Sequence, residues 1–289
     1  RIFFILALLF ILIQNNSSAE TLEDMKNSER FLVNTGNEYY AKGKYEQSIE
    51  PYSKALRLYE KIVILEEQPN EKEYLKENRK NHLAMLYGFL GDAYKNTQKF
   101  SKAVENYNKA IEYDPKYYNY RFYRAEAYFL QGKYELAVED YDQAIKLRKD
   151  DKMFNFFFQR GLAKERLKQY DSAIQDYMKT IEVYPRHFEA KYRIVQCYEK
   201  QGKNDKALDF YNSVIEPYTK AIELNPQDAK AYTNRGFAYD RMYQWSEAIA
   251  DYTKAIEINP QDAGTYLARG AAFEKLNQKK QAIENYQLF

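Results

Sequence analysis

The chain has 289 residues, 45% of them apolar and 30% charged, and its 44 lysines and arginines balance 42 acids to leave a net charge of +2. The two signs alternate along the chain, which excludes the clustered basic face that nucleic-acid binding needs. A lone cysteine, Cys197, excludes an intrachain disulfide framework and a thiolate metal cluster, and His82 and His187 are too far apart in sequence to form an i, i+4 zinc pair.

Arg1 precedes an unbroken apolar run from Ile2 to Ile13, followed by a small-residue exit at Ser17, Ser18 and Ala19. The run is shorter than the roughly twenty residues that span a bilayer, so residues 1–19 read as a secretory signal peptide cut after Ala19. Export to a periplasm or to the cell exterior is the expectation that follows. An uncleaved membrane anchor, or a buried helix at the front of a clipped chain, is the alternative.

Residues 20–28 are a lead-in, polar and helical from Thr21. Phe31 to Tyr45 then carries apolar residues three and four apart, the spacing of an amphipathic helix. Gly43 breaks it, and a second run follows with Ile49, Tyr52, Ala55 and Leu58, so that residues 29–62 make a helical hairpin. The second helix is expected to run on to Glu67 and stop near Gln68-Pro69-Asn70, with residues 63–83 lengthening the helices on either side. The next hairpin, 84–117, places Tyr87, Leu90, Gly91 and Tyr94 on one helix and Phe100, Ala103, Tyr107 and Ala110 on the other, closing at Asp114-Pro115. Residues 118–153 repeat the pattern with Ala125, Tyr128, Tyr134, Ala137, Tyr141 and Ala144, closing on Lys149-Asp150-Asp151. Residues 154–187 do so with Gly161, Ala173 and Tyr177, closing at Pro185.

Residues 188–228 depart from this pattern in two ways. Val195 stands where the other hairpins have glycine or alanine, which should hold its two helices further apart. YNSVIEP at 211–217 is followed by YTKAIEL at 218–224, an insertion of nearly two turns that keeps the apolar stripe in phase within about 20°. Pro217 lies inside it, and a proline there removes a hydrogen bond at about 3 kcal/mol, so a kink or break is expected between Ser213 and Pro217. Pro51 raises the same question in the first hairpin. The stretch 229–262 is then restated almost word for word: Tyr232, Gly236, Ala248 and Tyr252 recur as Tyr266, Gly270, Ala282 and Tyr286 in residues 263–289, which stop inside the second helix. A fixed period of this length is the mark of a solenoid.

The order of small, aromatic and proline columns resembles the W-x2-L-G-x2-Y, A-x3-F and P pattern of the tetratricopeptide-repeat family. That resemblance implies an all-α, right-handed superhelical solenoid of about seven antiparallel helix pairs, acting as a protein-interaction scaffold. No catalytic arrangement competes with packing. Cys197 occupies the column of Ala93, Ala127, Ala163, Ala238 and Ala272 and reads as interior. Glu139-Asp140 reads as solvated surface, and GKYEQS at 43–48 and GKYELA at 132–137 lack the spacing of a phosphate loop. No enzymatic activity, cofactor or metal is expected.

In the family the first helix of each pair lines a concave groove that takes a peptide. Carried onto this chain, the resemblance implies Asn37, Phe89, Asp92, Phe122, Tyr123, Glu126, Phe129, Phe158, Gln159, Tyr192, Arg193, Gln196, Asn234 and Phe237 as peptide-binding residues, with Val33 and Asn34 beside the first. Phe89, Phe122, Tyr123, Phe129 and Phe158 would be apolar anchors, and Glu126, Gln159 and Arg193 would fix register. The middle of the groove reads as aromatic and its ends as polar. The family's carboxylate clamp for the tails of cytosolic heat-shock chaperones is incomplete. Asn37 and Asn234 match its asparagines from distant repeats, but Val33, Tyr123, Tyr192 and Ala268 stand at its basic places. The expected partner is therefore a protein or peptide other than a chaperone tail, with no nucleic acid and no membrane contact beyond the N-terminal segment. Two alternatives stay open: a docking arm of a larger envelope-assembly or enzymatic protein that continues past Phe289, and a membrane-tethered scaffold.

Overall fold

The computed structural model describes residues 20–67, 72–148 and 153–288. The expected signal peptide, the turn at Gln68-Pro69-Asn70 and the closure at Lys149-Asp150-Asp151 lie outside them. Among the described residues the chain forms fourteen α-helices and no strand. They are α1 Leu22–Ala41, α2 Tyr45–Glu66, α3 Glu73–Asn96, α4 Phe100–Tyr113, α5 Tyr118–Leu130, α6 Tyr134–Leu147, α7 Phe154–Arg166, α8 Tyr170–Val183, α9 Phe188–Lys200, α10 Asn204–Leu224, α11 Ala229–Arg241, α12 Trp245–Ile258, α13 Ala263–Lys275 and α14 Lys279–Gln287. The helices fall into two compact units, α1–α6 and α7–α14, divided between Arg148 and Lys149. Within each unit every helix packs on the next in the chain, the neighbour-to-neighbour arrangement of a solenoid of helix pairs.

One column explains the pairing. The small residue in the middle of each first helix faces a tyrosine of the second: a Cβ built on Gly36 would come within 2.4 Å of the Tyr52 ring, on Gly91 within 2.5 Å of Tyr107, and on Gly161 within 2.7 Å of Tyr177. The ring fills the volume a side chain would need, and Tyr52, Tyr107, Tyr141, Tyr177 and Tyr252 are all buried. Val195 breaks the column, and its tyrosine, Tyr211, is only half-buried. A cavity of about 320 Å³ opens beside it, lined by Val195, Ala207, Leu208 and Tyr211. The Tyr211 ring is thus less enclosed than those of Tyr52, Tyr107, Tyr141, Tyr177 and Tyr252.

A second column was not legible in the sequence. Arg124, Arg160 and Arg235, each just before the small residue, grip an aspartate on the second helix of the same pair through two hydrogen bonds. Arg124 meets Asp140 at 2.6 and 2.6 Å, Arg160 meets Asp176 at 2.8 and 2.5 Å, and Arg235 meets Asp251 at 2.7 and 2.8 Å. Arg269 makes the equivalent bond to Asn285 at 2.7 Å. The third guanidinium arm can reach back to the preceding pair, as Arg235 does to Thr219 and Arg269 to Thr253. Asp140 is therefore not the solvated surface residue expected from its neighbours. It is 5% exposed and ion-paired, whereas Glu139 beside it is exposed.

α1 begins at Leu22, so residues 22–28 of the lead-in are its first turns. Thr21 and Asp24 cap it reciprocally, the Thr21 hydroxyl accepting from the Asp24 N–H at 3.1 Å and the Asp24 carboxylate from the Thr21 N–H at 3.0 Å. α2 and α3 are long, at 22 and 24 residues. His82 joins their extensions, its ring 4.1 Å from that of Tyr59 and its Nε2 2.9 Å from the buried Glu29 carboxylate. Of the kink or break expected near Pro217, the break does not occur: α10 is one helix of 21 residues that runs through it. Val214 and Ile215 before the proline and Ile222 after it are buried, so packing on both sides offsets the lost backbone bond. Pro51 likewise sits inside α2.

Candidate functional site

In the first two pairs, the residue following the small-column position accepts a hydrogen bond from the tyrosine hydroxyl of the partner helix. Tyr52 donates to Asn37 Oδ1 at 2.8 Å and Tyr107 to Asp92 Oδ1 at 2.7 Å. In the third pair Glu126 instead accepts from Lys95 at 2.5 Å, and the buried Tyr141 hydroxyl has no hydrogen-bond partner among the described residues. Asn37, Phe89 and Asp92 converge with Tyr40, Ala41 and Tyr52 on a pocket of about 150 Å³. Phe89 stacks on Tyr52 at 5.2 Å, and Lys95 lies 4.6 Å over the Tyr123 ring. Burial pushes the Asp92 carboxyl above its usual range, against the Tyr107 hydrogen bond and the Lys95 charge. Burial, then the charge of Asp92, pushes the Tyr40 hydroxyl up to about 12.

Phe122 does not belong to this surface. It is 5% exposed and packs on Tyr141 at 5.5 Å, because it lies one turn before Ala125 on the face turned towards α6. Phe129 is half-buried and packs edge-on against Tyr134 at 5.3 Å, within its own pair.

The larger opening is in the second unit, a cleft of about 870 Å³ whose lining includes Tyr184, His187, Phe188, Phe237, Asp240, Tyr243 and Trp245. Its rings are held by one another: Phe188 meets Phe237 at 5.7 Å, Tyr192 meets Tyr243 at 4.5 Å, and Tyr243 meets Trp245 at 5.8 Å. Tyr184, Phe237 and Tyr243 nevertheless remain 46%, 40% and 49% exposed. Arg241 lies 4.8 Å over Phe237, and burial raises the pKa of Asp240 against the pull of Arg241 and Lys275. His187 caps α9, its Nδ1 accepting from the Ala190 N–H at 3.1 Å, and burial among aromatic rings lowers its pKa.

Among the residues expected at the site, Phe237 lines this cleft and Tyr192 stacks against it. Arg193 bonds to Glu189 of the lining at 2.9 Å, and Gln196 donates to the Tyr192 hydroxyl at 2.7 Å. Asn234 is exposed and shares a smaller hollow with Phe188, Tyr218 and Phe237. Phe158 is half-buried between Tyr177 and His187, and Gln159 beside it is half-buried. The end of the array expected to be polar thus carries the broader aromatic opening. Tyr243, Trp245 and Tyr184 were missed because they sit on turns and at a helix start, outside the first-helix places. The available signal was Tyr243, in the turn column that holds Gly43, Gly132 and Gly202 elsewhere, followed by the chain's single tryptophan.

Tyr243 has a φ of +63°, in the left-handed region that Gly43, Gly132 and Gly202 occupy at +70° to +75°. Gln98, Lys168 and Asn277 share it, but a tyrosine there is the bulkiest choice and carries about 1 kcal/mol of backbone strain. Cys197 is fully buried, and burial pushes its thiol up to about 12, a packing residue and not a nucleophile. Among the described residues there is no cluster of three or more metal-ligating side chains, and no helix is long and apolar enough to cross a membrane.

Family models described as tetratricopeptide repeat match residues 29–62, 90–152, 158–222 and 229–262. The mitochondrial import receptor subunit TOM70 of Homo sapiens is 36% identical over 119 residues, which are 40% of this chain and 17% of that protein. The peptidyl-prolyl cis-trans isomerase FKBP4 of Bos taurus is 30% identical over 132 residues, 45% of this chain and 26% of that protein. The chain therefore spans only a small part of the curated relatives it matches. A tetratricopeptide repeat protein from Parabacteroides merdae has the same fold at a TM-score of 0.52, with 22% identity over 90% of this chain and 91% of that one.

Proposed function

The chain belongs to the tetratricopeptide-repeat family, and from that premise we propose that it is a non-enzymatic scaffold that binds a peptide segment of a partner protein. The docking surface in the second unit is the aromatic cleft of Phe188, Phe237, Tyr243 and Trp245. The observation that carries this reading is Tyr243. A tyrosine stands at positive φ, where glycine would be unstrained, and its ring, stacked against Tyr192 and Trp245, stays half in solvent at the mouth of the cleft. Exposed, mutually supported rings are what anchor a peptide side chain.

Tyr243→Gly separates folding from binding, since it relieves strain while deleting the ring. Peptides selected from a random display library on the whole protein are expected to bind the Tyr243→Gly variant at least ten-fold more weakly, while its melting temperature stays level or rises. Equal binding by the variant, or no peptide selected above background, would overturn the reading. A second reading, favoured by the small share of each relative that the chain covers, is that the array docks a longer protein to its partner. The same surface would then serve.

A further inference from the structure

The small pocket of the first unit has a different chemistry. Three acceptors meet there: the Asp92 carboxylate, the Asn37 carbonyl oxygen and the Tyr40 hydroxyl. Asp92 uses Oδ1 to accept from Tyr107 at 2.7 Å, and its Oδ2 accepts from no described residue. Asn37 Oδ1 accepts one hydrogen bond, from Tyr52, and has a second lone pair. Tyr40 already accepts from the Asn96 amide at 2.9 Å. Lys95, whose charge acts on Asp92, makes its own hydrogen bond to Glu126 at 2.5 Å and is seated over Tyr123. The Tyr40, Tyr52 and Phe89 rings wall the site, and Tyr52 and Phe89 are stacked at 5.2 Å.

A desolvated carboxylate with an open oxygen, two further acceptors and aromatic walls fit a cation that brings several N–H donors. An ammonium has three, and ring faces attract it further. The pocket, at about 150 Å³, is of a size to take a single side chain and not a folded segment.

We propose that this pocket seats the ammonium group of a lysine on the peptide partner. The proposal deepens the scaffold reading by assigning the first unit a cationic anchor, and it rests on that reading for the ligand being a peptide. The acidic tail that the family's clamp would take is of opposite charge.

The test uses the whole protein and titrates it with N-acetyl-lysine N-methylamide, its ε-acetylated form, its ε-trimethylated form and n-butylammonium, followed by NMR on the Asn37 and Asn96 side-chain amides. The lysine probe is expected to shift both amides saturably, with the acetylated and trimethylated probes at least ten-fold weaker. Asp92→Asn, which is isosteric and can still pair with Tyr107, is expected to weaken lysine binding at least ten-fold with an unchanged spectrum elsewhere. Phe89→Leu gives an independent loss through the ring. Comparable shifts from n-butylammonium support the ammonium site, with recognition confined to the head group. Equal binding of acetylated and free lysine, or an Asp92→Asn protein that is folded and binds lysine as the wild type does, would overturn the proposal. Tyr243→Gly discriminates the two readings: library peptides lost in that variant while Asp92→Asn changes nothing would remove the lysine site alone. Lysine binding that survives where library selection fails would remove the aromatic cleft alone.

Discussion

Replacing Arg235 by methionine tests whether the arginine–aspartate column holds the helix pairs together. Arg235 donates to both oxygens of Asp251 at 2.7 and 2.8 Å, and the two side chains are only 18% and 8% exposed. An exposed pair contributes about 0–1 kcal/mol. Here, however, methionine leaves a carboxylate buried between α11 and α12 without its two charge-assisted donors, a loss of about 3 kcal/mol. With a urea slope of about 2 kcal/mol per molar, the midpoint falls by roughly 1.5 M. The chain's single tryptophan, Trp245, opens α12, the helix that carries Asp251, so its fluorescence reports the pair being tested. The double variant Arg235→Met with Asp251→Leu is expected to regain most of the lost stability, because no charge is then stranded. A single-variant loss below about 1 kcal/mol, or a double variant as unstable as the sum of the singles, would refute the reasoning.

Two further perturbations address the other buried columns. Gly91→Ala places a methyl where a Cβ would lie 2.5 Å from the Tyr107 ring; calorimetry is expected to show a destabilisation of about 1–3 kcal/mol, and a neutral result would mean that the ring moves freely. Cys197, with its thiol raised to about 12, is about one ten-thousandth thiolate at pH 8, against roughly a quarter for a free cysteine. A chromogenic disulfide reagent is therefore expected to leave the folded protein unlabelled at pH 8 and to react at once in urea. Rapid labelling of the folded protein at pH 8 would contradict the burial.

How far the sequence could be read depended on whether a residue acts within its own repeat or only against its neighbours. Gly91 with Tyr107 and Gly236 with Tyr252 recur at a fixed offset because a ring on one helix fills the space a missing side chain leaves on the other. A local rule of this kind leaves a column in the text. Helix pairs, their order and the anomaly at Val195 were therefore legible, and the buried place of Cys197 followed from the alanines that share its column. The arginine–aspartate pairing recurs in three pairs at a spacing of sixteen residues, yet Glu139-Asp140 reads as solvated surface from the sequence. Charged residues are mostly exposed, and only the approach of the two helices buries Asp140, Asp176 and Asp251.

The remaining errors have the same origin. Pro217 does not interrupt its helix, because the backbone bond it removes is a local loss, while the packing of Val214, Ile215 and Ile222 that offsets it is not local. Phe122 looked like an anchor until its place beside Ala125 turned it towards Tyr141. By itself the sequence determined the repeat, the all-α solenoid of helix pairs and the tyrosines that interlock them, because each of those depends on spacing along one hairpin. Only the tertiary structure decided which polar groups are buried and which rings stay open. Asp92 with a free oxygen among Tyr40, Tyr52 and Phe89, and Tyr243 stacked on Tyr192 of the preceding pair, are products of helices from successive repeats meeting, and distance between helices is not written in either one alone.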